Sequence, residues 1–274
     1  PSAGSALNLN RKGKELEITG KDFSLAIDTL ACTIRSIRYK ETELLDSPLM
    51  PLMARAPVDN DIYNGLSTSY SSWLNAWQSF KWSSCMVQAE LPGKIDVSIQ
   101  GSLEGNGQST FQMQISVRAD GDILLSSEIK PGPGTRLPPR LGWICTMPAR
   151  FGNIKWVGRG PYDAFPDRKT GLLTGEFKTT ASEFNVPLVR PQEMGVKTDL
   201  QWFGVSTFEG LTLAAYSSGP FEASVLPFAY SELFGRYKHG TDIPQAKSNT
   251  VIFSSLQAAV GDGIRAPGSA SGEK

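Results

Sequence analysis

The chain has 274 residues, of which 40% are apolar, and its 27 basic and 27 acidic side chains cancel. That apolar content can bury a sizeable core, while the zero net charge provides no long-range field to recruit nucleic acid or an anionic membrane. A small neutral ligand fits better. No apolar run reaches bilayer-crossing length and no basic-then-apolar leader opens the chain, so neither a membrane span nor a signal is expected. Cytoplasmic and periplasmic locations stay equally open.

The opening "PSAGSA" lacks an initiator Met, as in a processed protein or an excised fragment. "LEITGKDFSLAID" and "TIRSIRY" then alternate or run apolar over strand lengths. Residues 65–84, "GLSTSYSSWLNAWQSFKWSS", break the rhythm; the spacing of Trp73 and Trp77 predicts a long excursion with a short helix or turn. "KIDVSIQGSL" resumes the strands. "TFQMQISVRADGDILLSSEI" predicts a hairpin turning at Asp120 and Gly121. Residues 131–140, "PGPGTRLPPR", read as a loop leading into "LGWICTM". "NIKWVG", "QWFGVSTFEGLTLAAYSS" and "NTVIFSSLQAAVG" complete the strands, with a second turn at Glu209 and Gly210. "RAPGSASGEK", residues 265–274, reads as an unstructured tail. Frequent turns without βα alternation predict an all-β antiparallel sandwich rather than an eight-fold barrel.

Cofactor chemistry has little support. Cys32, Cys85 and Cys145 lie far apart without CxxC spacing, which favours buried free thiols over a disulfide or metal site. His239, the only histidine, sits in the polar stretch "RYKHGTD" and is expected on an exposed loop. No Ser-His-Asp set, phosphate loop or dinucleotide glycine pattern occurs, so no cofactor is expected.

The densest polar pattern is in "LMARAPVDNDIYNG", residues 52–65, where an apolar approach meets Arg55, Asp59, Asn60 and Asp61 around Pro57. This predicts a rigid corner in which Arg55 donates to Asp59 or Asp61, while the other acid and Asn60 bond to backbone amides. Asp59 and Asp61 are candidates for a catalytic pair, but a proline-led polar loop is more often a structural knot. In "GRGPYDAFPDR" the glycines suit tight turning beside Trp156, and Arg159 is placed to clamp a carboxylate. Asp167 and Arg168 are expected to form charge-assisted contacts with each other or with distant groups such as Glu193.

"RAPVDND" resembles the "RAP.DND" signature of the C-terminal "small chain" sandwich domain of β-galactosidases in glycoside hydrolase family two. "LPPRLGWICTMPARFGNIKWVGRGPYDAFPDRKTG" and "VPLVRPQEMGVKTDLQWFGV" resemble that domain's later blocks in the expected order. The resemblance runs from about Phe23 to Gly263. It implies a large β-sandwich of the galactose-mutarotase-like, or supersandwich, type over residues 1–264. Its catalytic glutamates would belong to a separate barrel domain, so no catalytic residue is assigned in this chain.

The chain also departs from the family pattern. Asp163 and Ala164 stand where Glu and Asn are usual, Ser254 replaces an Asp, and a family pocket aromatic falls near Thr250. Phe253, Tyr230 or Phe234 are the available substitutes. Three readings follow. The preferred one is a noncatalytic β-galactosidase domain whose partners are the other domains and a β-galactoside or other neutral sugar. An independent carbohydrate-binding module would instead present an aromatic row of Trp73, Trp77 and Trp82 to solvent. An aldose 1-epimerase-like protein is disfavoured by the single histidine.

Overall fold

The computed structural model describes residues 6–65, 73–184, 186–235 and 237–257, so the 265–274 tail lies outside the described residues. The first strands are β1 (Asn8–Lys12), β2 (Glu15–Thr19), β3 (Phe23–Asp28), β4 (Thr33–Tyr39), β5 (Thr42–Glu43) and β6 (Ser47–Leu52). A four-strand run follows: β7 (Phe80–Leu91), β8 (Lys94–Leu103), β9 (Ser109–Arg118) and β10 (Ile123–Lys130). The remainder are β11 (Arg140–Pro148), β12 (Asn153–Gly160), β13 (Leu173–Thr180), β14 (Val196–Ser206), β15 (Thr212–Leu226) and β16 (Ser248–Gln257).

The strands form two antiparallel sheets. The large one runs β1-β2-β3-β4-β6-β11-β16-β15-β14-β12-β13, with β5 paired to β4; the small one runs β10-β9-β8-β7. Side chains one residue apart on a strand point to opposite faces, so a period-two pattern buries one face. β9 follows it, burying Phe111, Met113, Ile115 and Val117 while Thr110 and Gln114 face solvent. Its register sets Ile115 opposite Val97 and Met113 opposite Ile99 of β8. The buried apolar residues of both sheets join one cluster, giving the all-β sandwich that the sequence predicts. Trp77 Nε1 donating to Ala31 O and Arg11 pairing with Glu90 stitch the sheets at their margins.

Both predicted hairpins form. Gly121 has φ 98° between β9 and β10, and Gly210 has φ 93° between β14 and β15, backbone conformations that favour glycine. Two other segments differ from expectation. Phe80–Ser84 belongs to β7, whose register shifts at Trp82/Ser84 and Val87/Ala89 break the alternation that would have marked it as a strand. The expected helix there is one 3-10 turn, Ala76–Ser79, and Leu66–Ser72 lie outside the described residues. The "DND" run, expected as a loop, is a single helical turn, Asp59–Tyr63 (α1).

Candidate functional site

The polar motifs converge on one end of the large sheet. Met53–Pro57 leaves β6 and enters α1, carrying Arg55 inward as a fully buried side chain. Arg55 Nη2 lies 2.9 Å from Asp61 Oδ1 and 2.8 Å from Oδ2, and Asp61 is equally buried. Asp61 Oδ2 also accepts from Val58 N at 2.9 Å, so the carboxylate satisfies a free amide at the start of α1 while holding the cation. Asp61 is therefore the partner, of the two acids left open by the sequence. Asp59 instead points outward, accepting from Arg190 Nη1 at 3.3 Å and Gln192 Nε2 at 3.4 Å. Asn60 is exposed, and its backbone carbonyl accepts from Asn64 N.

A second ion pair lies alongside. Arg140, the first residue of β11, donates from Nη2 to Glu193 Oε1 at 2.5 Å, and both side chains are buried. Glu193 Oε2 accepts from Tyr230 Oη at 2.8 Å and Ala56 N at 3.1 Å, tying the pair to the backbone beside Arg55. Arg140 Nη1 donates to the same Tyr230 oxygen at 2.9 Å. Burial opposes the Arg140 charge, but the Glu193 carboxylate outweighs it and raises the guanidinium pKa. Burial, reinforced by Glu193, also raises the Tyr230 hydroxyl. Glu222 on β15 adds a third carboxylate: its Oε2 is sealed from solvent and has no hydrogen-bond partner among the described residues. Burial pushes its pKa up to about 7, with Arg140 pulling it down and Glu193 pushing it further up.

Glu193 thus pairs with Arg140 rather than with Asp167 or Arg168, correcting the expectation for that residue. Sequence spacing could not reveal the real partner, which lies 53 residues away and at the end of a stretch read as loop. Tyr230, a candidate sugar-facing aromatic, is buried in this network, with Phe234 packed edge-on against it. Thr250 is buried too, donating to Phe228 O, and Phe253 meets Phe203 edge-on.

The "GRGPYDAFPDR" segment leaves β12 and is clamped from several sides. Arg159 Nε donates to Asp199 Oδ2 at 3.0 Å and Nη1 to Leu172 O at 2.7 Å, so the expected carboxylate clamp exists. Lys169 reaches the same Asp199 at 2.6 Å. Burial would raise the Asp199 pKa, but the hydrogen bonds from Lys169 and Arg159 prevail and hold it below the ordinary Asp range. Asp163 accepts from Gly195 N at 2.7 Å and from buried Lys197 Nζ at 2.9 Å. Burial lowers the Lys197 pKa, and Asp163 only partly offsets it. The Lys197 ammonium also lies 4.4 Å from the Phe184 ring centroid.

Asp167 and Arg168 stay exposed, and the Arg168 guanidinium lies 5.1 Å from the centroid of the neighbouring Phe165 ring. They border a groove of about 590 Å³ together with Tyr162, Lys169, Thr170 and Leu188. The proposed tryptophan row does not assemble: Trp73 is 2% exposed and Trp77 stacks on Phe80 at 4.2 Å, leaving Trp82 at 46%. His239 is exposed, with its backbone N donating to Asp242. Among the described residues, no group of three or more His, Cys, Asp or Glu is placed to hold a metal.

Comparison with known proteins adds to this geometry. The family model for the beta galactosidase small chain matches residues 19–270. A β-galactosidase of Priestia megaterium is 30% identical over 260 residues, covering 95% of this chain and 25% of the relative. One from Halalkalibacterium halodurans is 26% identical, covering 95% of this chain and 26% of the relative. One from Pseudoalteromonas haloplanktis is also 26% identical, over 74% of this chain and 20% of the relative. The chain thus spans about a quarter of the length of the curated relatives it matches.

Proposed function

The chain belongs to the beta-galactosidase small chain family, and from that premise we propose that it is a noncatalytic C-terminal domain of a β-galactosidase. It supports or lines an active site whose acid and nucleophile come from a separate barrel domain, and its small-molecule partner is a β-galactoside or another neutral sugar. The observation that carries this reading is the match to relatives about four times as long, each a β-galactosidase.

The local chemistry supports it. Retaining glycosidases need two carboxyls roughly 5 Å apart across a bound sugar. Here Asp61, Glu193, Asp163 and Asp199 are each committed to a cation that fixes a loop or strand end. Loops so held give neighbouring domains a rigid edge to pack against, which is how a remote domain preorganises a site it does not complete.

Two assays test the proposal. The purified chain is expected to leave a chromogenic β-galactoside untouched, whereas the polypeptide of the full reading frame that contains it should hydrolyse the same substrate. Deleting residues 6–257 from that polypeptide should lower turnover. Turnover by the chain alone, abolished when Asp59 and Asp61 are both changed to Asn, would overturn the noncatalytic assignment.

A further inference from the structure

The charged side chains of the 159–172 segment divide into two groups. Arg159, Asp163 and Lys169 are each bonded to strand β14 or to the residue preceding it, and they hold the segment in place. Asp167 and Arg168 have no ion pair among the described residues, and Tyr162 beside them is 68% exposed. All three border the same groove, which Thr170, Leu172 and Leu188 also line together with Asp163 and Lys169, two charges already paired with Lys197 and Asp199. Holding the segment explains the first group; in the second, Arg168 lies over the neighbouring Phe165 ring with its side chain still exposed, and Asp167 and Tyr162 make no ion pair or ring contact among the described residues.

We propose that this groove is a saccharide-binding subsite in which Tyr162, Asp167 and Arg168 receive a neutral galactoside. The ligand class rests on the β-galactosidase-domain reading, but the chemistry of the groove points the same way. A carboxylate accepts from two neighbouring sugar hydroxyls, a guanidinium donates to ring and hydroxyl oxygens, and an exposed phenol ring packs on the C–H face of the sugar. Opposite charges on adjacent residues leave no net attraction for an ionic ligand, which favours a neutral one. Because the segment is anchored through Asp199 and Lys197, little ordering accompanies binding, and a shallow groove can hold a sugar without enclosing it.

Titration of the purified chain with lactose and with methyl β-galactoside, followed by calorimetry and saturation-transfer NMR, tests the subsite. Saturable binding in the millimolar range is expected for both, with sorbitol failing to compete. Tyr162→Ala, Asp167→Ala and Arg168→Ala should each weaken binding about tenfold or more, the equivalent of one lost charge-assisted or stacking contact. Phe208→Ala, at an exposed position in the β14–β15 turn outside the groove, should leave it unchanged. Equal thermal midpoints for all variants show that the losses are not unfolding. No saturable signal up to about 50 mM sugar, equal affinity in the triple variant, or full competition by sorbitol would each overturn the subsite. The domain assignment fails by a different measurement, the effect of deleting residues 6–257 on hydrolysis, so the two failures are distinguishable.

Discussion

Arg55 and Asp61 stand six residues apart and meet at 2.8 Å with neither side chain exposed to solvent. Removing one partner strands the other charge in the core, which costs several times the net value of the pair. Arg55→Leu and Asp61→Leu should each destabilise the chain by about 3–5 kcal/mol, read as a lower denaturant midpoint. The double variant should lose less than the two single losses added together. Strict additivity would show that the two side chains do not interact.

The same reasoning separates two acids only four residues apart. Asp163 neutralises Lys197, which is 1% exposed, whereas Asp167 is exposed and pairs with no cation among the described residues. Asp163→Ala should therefore lower Tm by several degrees, while Asp167→Ala stays within about 0.5 kcal/mol of the unmodified chain. Equal losses at both positions would contradict the placement of Lys197.

Glu222 predicts a pH dependence. Its ordinary value of 4.5 applies in the unfolded chain, against about 7 in the fold, so the folded state holds the proton more tightly. The stabilisation is fully present below 4.5 and is lost as pH rises through about 7, by about 3 kcal/mol at most. Glu222→Gln stays neutral throughout, so it should flatten the fall in stability between about pH 5 and pH 8 and be the more stable form at the upper end. Parallel profiles for the two proteins would show that Glu222 does not titrate in that window.

Thiol chemistry follows burial. Burial pushes both Cys145 and Cys32 up to about 12, Cys85 and Asp28 adding to the effect at Cys32; Cys85 is raised by burial and is the only one of the three with intermediate exposure. A maleimide at neutral pH should label Cys85 first, and Cys32 and Cys145 only after denaturation, because the thiolate is the nucleophile. Mass-spectrometric mapping of the label checks this. Fast modification of Cys145 in the native state would contradict its placement.

Strand content, both hairpins and the Arg55 corner were legible in the sequence because their causes are local. Period-two burial, a glycine at positive φ and an arginine six residues from its acid all operate over a few residues. The ordered motif blocks carried the family for the same reason. Tertiary structure alone decided which acids are structural. Arg140, Glu193 and Tyr230 lie on three separate segments, and nothing in "LPPR" or "PQE" announces that they share one buried network. The bulges of β7 hid a strand, and the choice of Asp61 over Asp59 depended on which face of a single helical turn points inward. The physical reason is desolvation. Whether a charge must be paired depends on what packs over it, and that cover comes from residues far away in the chain.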